Sequence, residues 1–260
     1  MKKQLLGMLA LAILAISWKQ ENPAPAKEIK QYTSEQFYKN EQIGGGAWSS
    51  DESKLLVHSN KTGIYNLYEI NVADGSQRQV TNSAVESYFA VDYVPGTNQI
   101  LYSADKGGNE IDHIYLLGED GKTTDLTPAE KEKANFYGWS LDKKAMYYSS
   151  NKRKEQFFDL YKMTVGDWKA TMMYQNDEGM DVTGISWDEK TLALQKNNTT
   201  SENQLFLYDI ATKKMTEVSE PTALGQYSAS GFSKDGKSVF YTTDAGKEFA
   251  NAEREHFRRT

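Results

Sequence analysis

Apolar and polar residues alternate over short stretches between residues 41 and 240, and no window there has a long 3.6-residue period. Stretches such as LLVHS, NLYEI, MYYSS and LFLYDI either alternate in side-chain polarity or are short and apolar. Both patterns are typical of β-strands, so the sequence predicts an all-β fold. The same periodicity argues against a helical solenoid.

A repeat of about 46 residues organises these strands. Five segments align: WSSDESKLLVHS, YVPGTNQILYSA, WSLDKKAMYYSS, ISWDEKTLALQK and FSKDGKSVFYTT. Their first residues, here called anchors, lie 45, 46, 46 and 47 residues apart and are Trp48, Tyr93, Trp139, Ile185 and Phe232. In four segments an acid follows the anchor by three residues: Asp51, Asp142, Asp188 and Asp235. A fixed period of this length indicates a repeat architecture.

Later features recur in the same register within each unit. A tyrosine ends a short apolar run, and turn residues such as Asp74-Gly75 and a final short strand follow it. These tyrosines are Tyr68, Tyr115, Tyr161 and Tyr208. A four-stranded unit of this length is typical of a propeller blade, because stacking around an axis buries both faces of each twisted sheet. We therefore predict a β-propeller of four-stranded antiparallel blades, with four full repeats and a partial fifth that leaves the ring incomplete.

The repeated residues are expected to serve the fold rather than chemistry. The anchors Trp48, Trp139 and Phe232 should be buried between neighbouring sheets, where each contributes about 1.5–3 kcal/mol. The acids should open tight turns by accepting backbone N–H groups, which fixes the register of the next strand.

The first 17 residues have the form of a secretory signal peptide. Two lysines precede a 12-residue apolar run, Leu5 to Ile16, which is too short to span a bilayer. The small residues Ala15 and Ser17 place a cleavage site before Trp18. The run also resembles a bacterial lipoprotein leader, but the chain has no cysteine to carry the lipid. We therefore predict a periplasmic or secreted product with no lipid anchor and no stable membrane insertion after cleavage.

These signals set the predicted boundaries. Residues 1–17 are the signal peptide, 18–40 an N-terminal tether and 250–260 an irregular tail. The propeller spans 41–249, with blades at about 43–84, 88–130, 134–177, 181–221 and a partial blade at 227–249. An incomplete blade leaves unpaired strand groups. Either the chain is a fragment of a longer product, or an amino-terminal strand or a second chain completes the ring.

Composition limits the classes of partner and of chemistry that we expect for this chain. Lys and Arg number 30 against 36 Asp and Glu, so the net charge is −6 and nucleic acid is not an expected partner. The absence of cysteine excludes disulfides, thiolate metal sites and cysteine nucleophiles. We expect no cofactor.

The blade pattern W-S-x-D-x-K-x-L-x-Y, present as WSSDESKLLVH, WSLDKKAMYYS and FSKDGKSVFYT, resembles the repeats of two bacterial families. One is the TolB-type periplasmic propeller, and the other is the N-terminal propeller of secreted prolyl oligopeptidase serine peptidases. The segments YTSEQFYKN and VFYTTDAGKEF favour the second. This resemblance implies a propeller that covers the active-site cavity of a separate α/β-hydrolase domain.

The resemblance implies chemistry that this sequence does not carry. The family's G-x-S-x-G motif is absent, and the nearest run, GQYSASG from Gly225 to Gly231, has the wrong spacing. We therefore predict no enzyme activity and no catalytic, cofactor-binding or metal-binding residues. The expected function is gating and docking of peptide substrates, with peptides, a protein partner or a missing hydrolase domain as partners. The alternative is a free-standing TolB-type platform for protein interaction.

Other chemistry-bearing residues are interpreted structurally. The three histidines are weak catalytic candidates without a neighbouring activated serine: His58, His113 and His256. The acidic groups do not match a calcium loop: Asn176, Asp177, Glu178 and Asp181, and Glu119 with Asp120. Gly44 to Gly46 lacks the residues of a phosphate loop, so it more simply permits a close approach of the chain. Lys152, Arg153 and Lys154 are interpreted as a solvated hairpin tip.

Overall fold

The computed structural model describes residues 29–257, and the chain divides into a unit up to Asn40 and a larger unit from Glu41 onward. The predicted signal peptide, 1–17, lies outside the described residues. In the first unit, residues 29–40 are exposed and contain helix α1 (Ser34–Tyr38). Thr33 caps this helix. Its hydroxyl accepts the Gln36 N–H, and the Gln36 side-chain carbonyl accepts the Thr33 N–H. In residues 29–257, no helix has both the length and the apolar character that crossing a bilayer requires.

Five antiparallel sheets form the second unit, and the strands of each sheet are hydrogen-bonded in chain order. Sheet 1 contains β1 (Ile43–Trp48), β2 (Lys54–Ser59), β3 (Asn66–Asn71) and β4 (Gln77–Gln79). Sheet 2 contains β5 (Phe89–Tyr93), β6 (Ile100–Ala104), β7 (His113–Leu117) and β8 (Thr123–Asp125). Sheet 3 contains β9 (Ala134–Trp139), β10 (Ala145–Lys154), β11 (Phe157–Thr164) and β12 (Ala170–Tyr174). Sheet 4 contains β13 (Asp181–Ile185), β14 (Thr191–Asn197), β15 (Asn203–Asp209) and β16 (Lys214–Glu217). Sheet 5 contains β17 (Tyr227–Phe232), β18 (Ser238–Thr243) and β19 (Asn251–His256).

The sheets pack face to face in chain order through a repeated side-chain geometry. The residue eight positions after an anchor packs against the following sheet, and the residues seven and nine positions after it pack against the preceding one. Thus Leu101 of sheet 2 shares a core cluster with Met146 and Tyr148 of sheet 3. The same arrangement recurs at the other three junctions. This series of stacked sheets confirms the predicted β-propeller.

Each anchor ends the first strand of its sheet, as the repeat predicts. The anchors pack against the preceding sheet, so Tyr93 and Phe232 are only 3% and 7% exposed. The prediction that Trp48 is buried between sheets is wrong, because its side chain is 56% exposed. Trp48 belongs to sheet 1, which has no preceding sheet within residues 29–257.

A serine and an aspartate build the turn after four of the five anchors. Ser140 Oγ donates to Asp142 Oδ1 over 2.7 Å and accepts the Ala145 N–H over 3.0 Å. Asp142 also accepts the Lys144 N–H, and Lys143 adopts a left-handed φ of 61°. These bonds confirm the predicted turn role of the acids. The equivalent serine–aspartate pairs are Ser49 with Asp51, Ser186 with Asp188 and Ser233 with Asp235.

Sheet 5 corrects the predicted irregular tail at 250–260. Residues 251–256 form β19, which pairs with β18 from Thr243↔Asn251 to Ser238↔His256. The segment NAEREH has no apolar face that would reveal a strand in the sequence, and its strand conformation comes from backbone pairing with β18. Phe240, eight positions after its anchor, is 40% exposed because no sheet follows in the described part of the chain. The ring is therefore not closed within residues 41–257.

Candidate functional site

The histidines hold structural positions rather than forming one site. His58 links sheets 1 and 2, since its Nδ1 accepts the Ala90 N–H over 3.1 Å. Its ring also makes edge contacts with Tyr65 and Phe89, and burial lowers the pKa of His58. An imidazole that accepts through Nδ1 carries its proton on Nε2, so His58 is placed as a neutral link between strands.

The other two histidines pair within their own sheets. His113 is buried, and its Nδ1 lies 2.7 Å from Asp125 Oδ2 on the adjoining strand β8. His256 Nδ1 lies 2.9 Å from Ser238 Oγ, which also accepts a bond from Arg254 Nε. Because Ser238 is fully buried, this serine–histidine pair joins β18 to β19 and offers no accessible nucleophile.

The acidic residues 176–181 and the basic hairpin tip form one structural unit. Arg153 binds the fully buried Asp159 with two bonds, Nε to Oδ2 at 2.8 Å and Nη2 to Oδ1 at 2.9 Å. Its guanidinium also reaches the Asn176 carbonyl and the Asp177 carboxylate. Lys152, Arg153 and Lys154 are exposed, as expected for a solvated tip, but Arg153 also supplies the cation that the buried carboxylate needs. Within the described residues, no group of three or more His, Asp or Glu side chains is arranged to hold a metal ion.

The remaining sequence candidates also serve local structure. Glu119 accepts the Asn98 N–H, and Asp120 accepts the Lys122 N–H in a turn. A Cβ on Gly44 would lie 2.5 Å from His58 Nε2, so only glycine fits against that ring. The glycine run thus permits the close approach that the sequence predicts.

An open cavity of about 250 Å³ lies at the turn end of sheets 3 and 4. Sheet 3 contributes Trp139, Ser140, Leu141, Lys143 and Tyr147, and sheet 4 contributes Ile185, Ser186 and Trp187. We call this feature the tryptophan pocket. Leu141 is 64% and Trp187 44% exposed, whereas Tyr147 is only 6% exposed. The pocket therefore has a buried aromatic floor and an exposed apolar rim.

Hydrogen bonds fix both indole rings of the pocket. Trp139 Nε1 donates to Asp92 Oδ2 of sheet 2 over 2.9 Å. Trp187 Nε1 donates to the Phe232 carbonyl of sheet 5 over 2.9 Å. With both ring N–H groups engaged, the indoles present their carbon faces and edges to the pocket.

One charged side chain lines the pocket. Lys143 is the only ionisable side chain besides Tyr147 in the lining, and burial raises the pKa of Tyr147, with further contributions from Glu189. Glu189 itself is paired with Lys162 at 2.5 Å. Asp142 is engaged by its turn, and the Ser140 hydroxyl holds the pKa of this carboxyl below its ordinary value. The pocket therefore combines an apolar surface with one exposed ammonium group.

The sequence gives little indication of this pocket. Leu141 and Trp187 both stand two positions after an anchor, in a place that the repeat leaves variable. An apolar residue at this turn position in two consecutive units is the only signal that would have found it. That the two turns meet across the junction depends on the stacking of the sheets.

Five antiparallel sheets stacked in chain order place this molecule in the class of β-propellers. Residues 82–252 match the family model of the prolyl oligopeptidase N-terminal β-propeller domain. The chain therefore belongs to this family. The matched residues are those of the propeller domain.

Solved structures share the fold at low sequence identity. TolB from Acinetobacter baumannii has a TM-score of 0.51 and 19% identity, over 83% of this chain and 55% of TolB. Oligogalacturonate lyase from Vibrio parahaemolyticus has a TM-score of 0.58 and 15% identity, over 82% of this chain and 65% of the lyase. Prolyl oligopeptidase B from Galerina marginata has a TM-score of 0.58 and 13% identity, over 84% of this chain and 32% of the peptidase.

These likenesses concern the fold alone. The chain spans about half the length of the Acinetobacter TolB structure and about a third of the Galerina peptidase. A comparison with curated proteins gives no match to this sequence.

Proposed function

We propose that this chain is the non-catalytic propeller domain of a secreted, prolyl-oligopeptidase-like serine peptidase, where it docks flexible peptides and restricts access to a hydrolase domain. One observation carries the proposal. The chain belongs to this propeller family, and every strand described in residues 41–257 is part of a propeller sheet. The triad of an α/β-hydrolase is built on a G-x-S-x-G nucleophile turn, which this sequence lacks, so the contribution that we propose for this chain is binding.

The gating role rests on the arrangement of the sheets. The first strand of four of the five sheets carries small or polar exposed residues, as at Gly46, Asn135, Asp181 and Ser228. A series of such strands around an axis admits an extended peptide but excludes a folded domain. The leader at residues 1–17 supports a periplasmic or secreted location.

The direct test uses the purified chain and flexible peptides of about ten residues that contain proline. Fluorescence polarisation should show saturable binding, and mass spectrometry should show that the peptides remain intact. A folded protein of similar composition is the matched control and should not compete. Turnover that a serine-directed inhibitor abolishes, or failure to bind any peptide, would overturn the proposal.

A second candidate is a free-standing propeller that binds folded proteins of the cell envelope. The fold shared with TolB favours it, together with exposed apolar residues such as Trp48 and Leu224, which are 56% and 73% exposed. Capture of a folded envelope protein that flexible peptides do not displace would favour this candidate over the first.

A further inference from the structure

We propose that the tryptophan pocket is a binding site for a proline-containing peptide segment with an acidic residue beside the proline. This inference rests on the proposed function, since it names the class of peptide and the place where it binds. Its support is the shape, the rigidity and the charge of the pocket.

The first argument is the exposed aromatic surface. Trp187 and Leu141 remain largely exposed at a junction where other apolar side chains are covered. Exposed apolar groups that border a cavity mark interaction sites. Extended proline-rich segments bind in grooves lined by aromatic rings, because their preformed conformation loses little entropy and the pyrrolidine ring packs against an aromatic face.

The second argument is rigidity. A serine–aspartate turn stands on each side of the pocket, and Lys143 and Glu189 hold left-handed φ values of 61° and 58° in these turns. The indole N–H bonds to Asp92 and to the Phe232 carbonyl fix the two rings. A preformed site of this kind keeps more of its contact energy as affinity, because its side chains are already ordered.

The third argument is charge. Asp142 and Asp188 accept the hydroxyls of their turn serines, Glu189 pairs with Lys162, and none of these three carboxylates lines the pocket. Among the described residues, Lys143 is the only charged side chain in the pocket lining, and its ammonium group is exposed at the rim. A glutamate or aspartate next to the proline is the ligand group that complements this cation.

The experiment compares two labelled peptides, Gly-Ala-Pro-Pro-Glu-Ala-Gly and the same sequence with lysine in place of glutamate, by fluorescence polarisation. Trp187→Ala should weaken binding of the glutamate peptide by about tenfold or more. Trp48→Ala is the matched control, because it removes another exposed tryptophan, from sheet 1, that does not line the pocket, and it should leave binding unchanged. Circular dichroism confirms that each variant keeps its β-sheet signal.

Lys143→Glu supplies a test that removes no hydrogen bond seen in the fold. It should weaken binding of the glutamate peptide and strengthen binding of the lysine peptide, so that the charge preference reverses. If the natural chain binds both peptides equally, or if Trp187→Ala and Lys143→Glu leave affinity unchanged, the pocket inference is wrong while the proposed function stands. If the natural chain binds no peptide at all, both are wrong. An equal loss in Trp48→Ala would also overturn the pocket as the site.

Discussion

At the scale of single residues, the turn acids show how one side chain sets a hairpin. Asp51 accepts the hydroxyls of Ser49 and Ser53 and the Ser53 N–H. These bonds favour the ionised carboxylate and lower the pKa of Asp51 from 3.8 to about 2. Similar bonds lower the pKa of Asp142 and Asp235.

This shift predicts a pH dependence of stability. Because the pKa of Asp51 is lower in the folded chain, the carboxylate stabilises the fold above about pH 4 and loses this effect as the pH falls toward 2. Urea midpoints measured from about pH 6 to about pH 2, a range that includes both pKa values of Asp51, should fall less steeply for Asp51→Asn than for the natural chain. Equal slopes for the two proteins would contradict this account of the turn.

The local turn bonds could be predicted from the sequence, and the environment of the anchors could not. A serine and an aspartate stand two positions apart just before a strand. Their hydrogen-bond partners lie within five residues in the sequence, so the bonds are local. The burial of an anchor depends on the preceding sheet, which is about 46 residues away, so Trp48 and Phe232 have the same local pattern and opposite exposure.

At the scale of elements, the β10–β11 hairpin is stabilised by the ion pair between Arg153 and Asp159. The carboxylate is fully buried and the Arg153 side chain is 27% exposed. The sequence KRK predicts a solvated tip and does not reveal the ion pair. Only the pairing of β10 with β11 brings Arg153 close to Asp159. Strand β19 is a second case, since its polar sequence acquires strand structure only from the neighbouring β18.

Removal of the arginine should destabilise the chain strongly. Arg153→Ala leaves the buried Asp159 carboxylate with only the Asn176 N–H and the Tyr161 hydroxyl, so we expect a loss of about 3 kcal/mol in the free energy of unfolding. Arg153→Lys keeps the charge but not the two-pronged geometry and should lose less. Urea denaturation followed by circular dichroism measures both. An Arg153→Ala chain as stable as the natural one would show that the pair does not hold the hairpin.

At the scale of the whole molecule, stability depends on the stacking of sheets through the residues eight positions after each anchor. Four of these residues are buried, Leu56, Leu101, Tyr147 and Ala193, and the fifth, Phe240, is 40% exposed. The repeat predicts the sheets and their order, since the period is visible in the letters. It does not predict which side chains from two turns meet, and for this reason the tryptophan pocket emerges only from the structure.

The stacking predicts unequal effects at equivalent positions. Leu101→Ala opens a cavity between sheets 2 and 3 and should lower the free energy of unfolding by about 2–5 kcal/mol. Phe240→Ala, at the same position of sheet 5, should cost about 1 kcal/mol or less because its ring already faces solvent. Similar losses in the two variants would mean that sheet 5 is covered in solution.

We propose that this propeller binds peptides without cleaving them, and hydrogen–deuterium exchange mass spectrometry measures both parts of this proposal. The chain is measured alone and with the glutamate peptide, and the peptide mass is recorded in the same samples. We predict slower amide exchange in the two turns that contain Leu141 and Trp187, with the peptide intact. Unchanged exchange throughout the chain, or the appearance of peptide fragments, would contradict the claim.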